Sequence, residues 1–267
     1  MKILDAWLPL PLAGVYFGCF LLVMVALAFG YAAGRRFTRR HETLQDASLG
    51  SAVAATLGLL AFMLAFTFNM TADRFSQRKA LLMEDVNAIG TTYLRADFLS
   101  EEGRGEARTL LREYAALRSF SPNKFGEEEF AQANRRTEEI QKMLWALVDR
   151  HLQQNFDPTR LRAFYEPLNQ MIDLHALRIQ VGMVHKIPTA IWVALYAITA
   201  FAMFGMGMQL GVSGSASPLA AVALALSFSL VIVLIADLDR SYEGWLLVDQ
   251  GPMKALAESL KRGAEIP

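Results

Sequence analysis

The side chains that most often perform catalysis or bind metals are few and scattered in this sequence. Its four histidines, His41, His151, His175 and His185, form no His-x-x-x-His or Glu-x-x-His pair, and the single cysteine, Cys19, excludes a thiolate metal site and a disulfide framework. The phosphate-binding patterns GxxxxGK[ST] and GxGxxG and the nucleophile elbow GxSxG are also absent. We therefore predict no enzyme activity, no catalytic residue, no metal site and no cofactor.

A different kind of chemistry is possible along one face of residues 58–84. Steps of three, four or seven residues define a face that is aromatic first and polar later, formed by Gly58, Phe62, Phe66, Asn69, Asp73, Gln77 and Glu84. Repeated around the axis of an oligomer, phenylalanine rings can exclude water and ions, and rings of polar side chains can discriminate between ions. Taken alone, the aromatic spacing favours simple packing of Phe62, Phe66 and Phe68 against other membrane helices, and Asn69 could be an ordinary residue at a bilayer surface.

Six charged residues stand where two apolar stretches of the chain end, namely Asp73, Arg74, Arg78, Asp237, Asp239 and Arg240. Exposed ion pairs contribute about 0–1 kcal/mol, so the group could be an ordinary membrane-surface feature. In an oligomer, however, the arginines of one subunit could meet the acids of its neighbour and form a polar ring. The sequence leaves both interpretations open.

These residues must be positioned by membrane helices, because the composition does not fit a soluble protein. Of the 267 residues, 54% are apolar and 19% charged, and 26 basic residues balance 26 acidic ones. Soluble domains carry about 25% charged residues. The lipid bilayer is therefore the expected partner. The zero net charge gives no basic face for a nucleic acid, which is not expected to bind.

Four runs without Asp, Glu, Lys, Arg or His account for the apolar excess, at residues 10–34, 47–72, 187–209 and 210–236. Each can cross a hydrocarbon core of about 30 Å as a helix that rises about 1.5 Å per residue. Two transmembrane helices are predicted before a central polar segment and two after it, over residues 12–33, 51–71, 188–209 and 217–236. A cleaved signal peptide is the alternative for the first run, but that run exceeds the usual apolar core of about 7–15 residues.

Four arginines follow the first run directly, namely Arg35, Arg36, Arg39 and Arg40. At the mouth of a pore they could concentrate anions. Otherwise they anchor the end of the helix among lipid headgroups.

The central segment, residues 72–186, is predicted to be a helical soluble insert. Residues 73–186 carry 17 acidic and 17 basic side chains. One helix is expected to run without interruption from Ser51 to Arg95, because no proline and only two glycines occur there, and so to extend beyond the membrane. Its apolar positions recur at helical spacing, at Phe75, Leu82, Val86, Ile89 and Tyr93.

The remaining helices of the insert are predicted from caps and breaks. Ser100, with two acids after it, is typical of an N-cap. The sequence SPNKFG at 121–126 indicates a break before a helix over about 127–154. Asp157 before a proline predicts the start of the last helix, with a kink at Pro167. Six positions of the 127–154 helix are expected to face inward, namely Phe130, Ile140, Leu144, Leu147, Val148 and Leu152.

The predicted fold class is an all-α membrane protein with four transmembrane helices in a two-plus-two arrangement and long helices continuing into the insert. Its segments are an N-terminal transmembrane pair, the insert, a C-terminal transmembrane pair and a tail, at residues 1–71, 72–186, 187–236 and 237–267. In the tail, Met253, Leu256 and Leu260 have amphipathic helical spacing. An even number of spans places both termini and the insert on one side of the membrane.

Two stretches resemble the bestrophin-like family of bacterial membrane proteins, most of them of unknown function, and at longer range the bestrophin ion channels. The first is GLLAFMLAFTFNMTADRFSQRKALLMEDVNAIGTTYLRADFL, which contains, in the order of the family pattern, Phe66, Asn69, Asp73, Arg74, Phe75, Arg78 and Asn87. The second is ADLDRSYEGWLLVDQGPMKAL, which matches more loosely through Asp237, Asp239, Gly244 and Asp249. The proline of the family's turn is absent from this second stretch, because Ser241 and Tyr242 stand there.

The resemblance implies a homo-oligomer, a pentamer in the bestrophins, whose second transmembrane helices line a pore for small inorganic ions. Phe62 and Phe66 are then the hydrophobic neck, with Asn69 and Asp73 beyond it. The six charged residues are then candidates for gating or for an inter-subunit ring, and the four arginines for the outer mouth. The alternative function is a non-conducting membrane scaffold or sensor whose insert binds a partner.

The resemblance also implies the inner membrane of a bacterium, with the insert and both termini in the cytoplasm. The positive-inside rule favours the opposite orientation for the loop with four arginines. On the side of the insert and the termini, the basic residues near the membrane are divided among three segments and include Lys2, Arg178 and Lys186. A cytoplasmic insert is therefore expected from the resemblance alone.

Overall fold

The computed structural model describes residues 11–39, 46–119, 127–184, 186–214, 217–241 and 244–263. Within these ranges every regular element is helical and no strand occurs. The α-helices are α1 Leu12–Thr38, α2 Asp46–Arg95, α3 Glu101–Arg118, α4 Glu127–Gln153, α5 Pro158–Ile179, α6 Thr189–Ser213, α7 Pro218–Asp239 and α8 Gly251–Arg262. The predicted all-α fold class is confirmed.

Among the described residues, four helical segments are long and apolar enough to cross a membrane, namely Leu12–Thr38, Leu49–Phe98, Thr189–Ser213 and Leu219–Asp239. They coincide with the four predicted spans, although each continues past the predicted end. The longest is α2, which has 50 residues and no interruption. The prediction of one continuous helix from Ser51 to Arg95 is therefore confirmed.

The chain folds into two compact units. The membrane unit contains the described residues of 1–73, 186–240 and 244–246, and the polar unit those of 74–185, 241–243 and 247–267. Both transmembrane pairs thus belong to one unit, and the tail helix α8 belongs to the other. Helix α2 contributes to both units, with the change between Asp73 and Arg74.

Helices α1 and α6 of the membrane unit approach so closely that no Cβ atom fits between their backbones at four glycines. A Cβ on Gly30 would lie 2.0 Å from the carbonyl oxygen of Phe204, and one on Gly207 would lie 2.2 Å from the carbonyl oxygen of Leu27. Gly34 and Gly211, four residues further along each helix, are equally confined. Small residues at this spacing let transmembrane helices pack by direct backbone contact.

The polar unit has an apolar core built from most of its helices. Ile89, Leu111, Leu144 and Phe164 are fully buried in one cluster. The tail helix α8 joins this cluster through its predicted apolar face, Met253, Leu256 and Leu260. Burial of these side chains is the main stabilising term for the unit, at about 1.5–3 kcal/mol for each large side chain.

The predicted caps of the polar unit are confirmed. The backbone N–H of Gly103 donates to Oγ of Ser100 at 3.2 Å, and that of Thr159 donates to Oδ1 of Asp157 at 2.8 Å. A cap of this kind stabilises a helix by about 1 kcal/mol because it satisfies an amide that has no partner within the helix.

Four details of the insert differ from the expectations or fall outside them. Leu152, expected to face inward, is 54% exposed, because it lies in the last turn of α4 beyond the core. The last helix of the insert changes to π-helical geometry over Gln180–Val184. The predicted break at 121–126 lies outside the described residues, and Pro167 is buried within α5.

Candidate functional site

The outer face of α2 in the membrane unit carries the residues of the predicted pore. Phe62 is 64% exposed and Phe66 is 52% exposed, and Asn69 and Asp73 are exposed on the same face. The opposite face is buried in the chain through Leu60, Leu64, Thr67 and Thr71. The phenylalanines therefore do not pack into the core of their own chain, which was one of the two interpretations of their spacing.

The exposed phenylalanines contact each other along the helix. The ring centroids of Phe62 and Phe66 lie 6.4 Å apart, with an angle of 20° between the ring planes. This stacking is possible because residues four apart on a helix lie on the same face. It produces a continuous aromatic surface about one helical turn long.

Exposure alone does not distinguish a pore face from a lipid face. Phe17, Phe29 and Phe201, on α1 and α6, are each nearly 70% exposed as well. What distinguishes the α2 face is its polar continuation at Asn69 and Asp73, because an amide and a carboxylate require water or a polar partner rather than lipid.

The two acids at the end of α7 hold the backbone that follows this helix and the backbone before α6. Asp237 is buried, and its two carboxylate oxygens accept the backbone N–H groups of Trp245 at 2.9 Å and Leu246 at 3.0 Å. Asp239 accepts the backbone N–H of Ile187 at 3.1 Å. Hydrogen bonds from amides to a carboxylate are among the stronger ones in proteins. Each acid thus has partners within its own chain.

Gly244 is required by the turn that Asp237 closes. Its φ of 132° lies in the region that favours glycine, and a Cβ at this position would lie 1.9 Å from Oδ1 of Asp237. The predicted tail residues Asp237 and Gly244 therefore form one local structure at the end of the last span.

The basic residues of the predicted polar ring follow the predicted second and fourth transmembrane segments along the chain. In the polar unit, Nη1 of Arg78 donates to Oγ of Ser241 at 2.6 Å, and its guanidinium lies 5.8 Å from the ring centroid of Phe75. Arg74, also in the polar unit, and Arg240, in the membrane unit, are each partly buried.

The predicted outer-mouth arginines follow the end of α1. Arg35, Arg36 and Arg39 are exposed, and the guanidinium of Arg35 lies 5.9 Å from the ring centroid of Tyr31. Positive charge at a helix C-terminus is favourable because it complements the helix dipole. Arg40 lies outside the described residues.

The polar unit contains a buried charged cluster that the sequence did not reveal. Asp85 is fully buried, and its Oδ2 accepts hydrogen bonds from Nη2 of Arg118 at 3.2 Å and from Nη1 of Arg178. The one available signal was spacing, since Asp85 lies three residues after Leu82 and four before Ile89 on the apolar face of α2. Its two partners come from α3 and α5, and only folding brings them together.

Burial and this cluster shift the pKa values of two neighbouring aromatic side chains. Burial first, and then the positive charge of Arg118, lower the pKa of His175 to about 4. Burial raises the pKa of Tyr114 to about 12. Near neutral pH both side chains are therefore uncharged, and the charges in this region are those of Asp85 and the arginines.

The described residues contain no group of three His, Cys, Asp or Glu side chains that could hold a metal ion. His151 is a packing residue, since its Nε2 lies 3.0 Å from Oγ of Ser100 and its Nδ1 lies 2.8 Å from the carbonyl oxygen of Leu147.

Comparison with known proteins gives a family match and a fold match. A model of the Bestrophin-like domain matches residues 20–253. A solved structure of a bacterial bestrophin homologue from Klebsiella pneumoniae, a point variant, has a TM-score of 0.61 at 15% sequence identity and covers 92% of this chain and 98% of that chain. A second point variant of that homologue has a TM-score of 0.66 at 14% identity, with 92% and 96% coverage. No curated protein sequence matched.

Proposed function

Because the chain belongs to the bestrophin-like family, whose domain spans residues 20–253, we propose that it is a homo-oligomeric membrane channel for small inorganic ions. Its pore is lined by α2 of each subunit, and Phe62 and Phe66 form the neck. The fold shared with the Klebsiella pneumoniae bestrophin homologue supports the proposal. A pentamer is the proposed assembly, by the same resemblance.

One observation carries the proposal, namely the exposed α2 face that passes from stacked phenylalanines to Asn69 and Asp73. In a ring of subunits, the phenylalanine side chains would narrow the path and exclude water, so that an ion passes only when the neck is wetted. Asn69 and Asp73 would replace water molecules around an ion as it leaves the neck. The same face, turned towards lipid, would place a carboxylate and an amide in an unfavourable position.

The charged residues outside the neck take supporting roles in this proposal. Asp237 holds the backbone beyond the last span, and Asp239 holds the backbone before α6, through amide hydrogen bonds. Arg74 and Arg78 lie in α2 just after its predicted transmembrane part, and Arg240 directly follows α7. These three arginines are the candidates for gating or for contacts between subunits. Arg35, Arg36, Arg39 and Arg40 concentrate anions at the opposite mouth.

We place the protein in the bacterial inner membrane with the insert and both termini in the cytoplasm, as the family resemblance implies. An alkaline phosphatase fusion after residue 267 tests this orientation, because that enzyme is active only outside the cytoplasm. The expected fusion is inactive, whereas an active one places the C-terminus outside.

The channel proposal is tested by recording currents across planar bilayers that contain the purified protein. Replacing Phe62 and Phe66 by alanine widens the neck, so the double variant is expected to conduct about tenfold more than the wild type, which corresponds to a barrier lower by about 1.4 kcal/mol.

The matched control is Phe201→Ala, which removes a phenylalanine of similar exposure from α6. Its conductance is expected to equal that of the wild type. The contrary result is a wild type that forms oligomers and still passes no current, whichever side of the bilayer has the higher salt concentration. In that case the channel proposal is wrong, and the scaffold or sensor function takes its place.

A further inference from the structure

A cavity of about 70 Å³ lies within the polar unit, and the described residues that line it all belong to that unit. Its wall includes three arginines, Arg78, Arg118 and Arg178, together with Ser241 and Gln250. A water molecule needs about 10–15 Å³ of such space, so the cavity has room for about five waters or one small molecule.

The cavity lies beside an excess of positive charge. Arg118 and Arg178 share a single carboxylate oxygen of Asp85. Two guanidiniums thus face one carboxylate, and Arg78 brings a third guanidinium to the same wall. None of the described residues that line the cavity is an acid. Since arginine stays protonated in proteins, this charge is permanent.

A buried donor of one lining residue has no partner among the described residues. Nε of Arg118 makes no hydrogen bond to any of them, and the side chain is only 6% exposed. Proteins usually pair every buried donor, because an unsatisfied one weakens the folded state. A ligand with acceptor oxygens would provide this partner.

The lowered pKa of His175 and of Arg178 supports the same conclusion. Burial is the largest cause in both, and the positive charge of Arg118 is the next. A positive potential at this point favours the binding of an anion.

The rest of the wall limits the kind of anion. Nη2 of Arg178 donates to Oε1 of Gln250 at 3.4 Å, which fixes that amide within the cavity wall. Leu81, Ile179 and Val248 supply an apolar side. The volume suits an ion of the size of acetate or phosphate.

From this geometry we propose that the cavity binds a small soluble oxyanion of the carboxylate or phosphate class, held by Arg78 and Arg118. Guanidinium groups fit the two oxygens of such an anion with paired hydrogen bonds, which chloride cannot accept in the same geometry. The site is confined to the polar unit, so it stands whether or not the protein conducts ions.

The experiment uses the full chain in detergent and in a buffer without oxyanions. Isothermal titration with sodium acetate and with sodium phosphate is compared with sodium chloride at equal ionic strength. We expect saturable binding of at least one oxyanion, a higher unfolding temperature in its presence, and no matching effect of chloride. Equal effects of all three salts overturn the proposal.

Two variants and one control locate the site. Arg78→Gln and Arg118→Lys are each expected to weaken oxyanion binding about tenfold or more, because each loses guanidinium hydrogen bonds to a charged acceptor. Arg118→Lys retains a positive charge to pair with the buried carboxylate of Asp85. The control is Arg95→Gln, which removes one positive charge from the same helix as Arg78. Arg95 does not line the cavity, and its Nη1 donates to the carbonyl oxygen of Ala163. This variant is expected to bind like the wild type, and an unchanged affinity in both Arg78→Gln and Arg118→Lys contradicts the proposal.

Discussion

The side chain of Asp85 has no exposed surface, and its carboxylate forms ion pairs with Arg118 and Arg178. A buried carboxylate is costly unless it is paired and hydrogen-bonded, so the two arginines are required once Asp85 is present. The cluster thereby joins three helices of the polar unit at one point.

Asp85→Asn is expected to destabilise the protein by about 3–5 kcal/mol, because it leaves two arginines without their shared carboxylate. Asp97→Asn is the matched control. It removes a carboxylate that pairs with Arg108 at 2.8 Å but is 49% exposed, so its effect should stay within about 1 kcal/mol. Chemical denaturation in detergent measures both, and equal losses would show that burial is not the cause.

His175 should make stability depend on pH. Its pKa is about 4 in the folded chain against an ordinary value of 6.5, so the unfolded chain binds a proton first as the pH falls. Stability is therefore complete above about pH 6.5 and decreases towards pH 4, by up to about 3 kcal/mol. The charged or titratable groups around it are Tyr114, Asp85, Arg118 and Arg178.

The measurement compares unfolding of the wild type and His175→Phe between pH 4 and pH 7, since other groups also titrate in this range. The variant keeps an aromatic ring beside Tyr114 but removes the titration. The wild type should lose more stability on acidification than the variant, and parallel curves would contradict the assignment.

At the scale of elements, the contact of α1 with α6 depends on glycines rather than on large apolar side chains. Lipid tails are as apolar as leucine, so burial of apolar surface provides little force between membrane helices, and close packing takes its place. Gly30 and Gly207 permit it, because a Cβ on either would meet the backbone of the other helix.

Gly30→Ala is expected to lower the thermal stability of the membrane unit, with a loss of about 1–3 kcal/mol from overpacking. Gly18→Ala, on the same helix, places its Cβ in open space and should be neutral or slightly stabilising, since alanine favours helix over glycine. Thermal unfolding in detergent distinguishes the two, and a similar effect of both substitutions would rule out the close contact as the cause.

For the whole molecule, the proposed function explains the exposed aromatic and polar face of α2 by an assembly of subunits. A single chain exposes Phe62, Phe66 and Asn69 together. A ring of subunits that turns this face inward gives each of these residues a symmetric copy near the axis.

Cysteine cross-linking tests that assembly. In a Cys19→Ser background, Asn69→Cys should form disulfide-linked dimers between subunits after mild oxidation, because the proposed pore brings copies of residue 69 close together around its axis. Leu230→Cys, on an exposed face of α7, should not cross-link. Cross-linking only at residue 230 would place the α2 face away from the axis.

The sequence alone was sufficient for the four spans, the uninterrupted α2, the caps at Ser100 and Asp157 and the buried face of α8. These features depend on local rules, namely the length of uncharged runs, the spacing of apolar residues and the chemistry of helix ends. The family pattern around Phe66 and Asp73 was also visible, because its residues are neighbours along the chain.

The tertiary structure alone decided which residues meet across long separations. It gave Asp237 two backbone partners beyond α7, placed glycines between α1 and α6, and joined Asp85 to arginines 33 and 93 positions away. The spacing of apolar residues shows which residues face inward. It does not show which side chains they contact, because contacts between helices depend on how those helices pack. For this reason Phe62 and Phe66 could be placed on one helical face from the sequence, whereas the arginine-lined cavity required the folded polar unit.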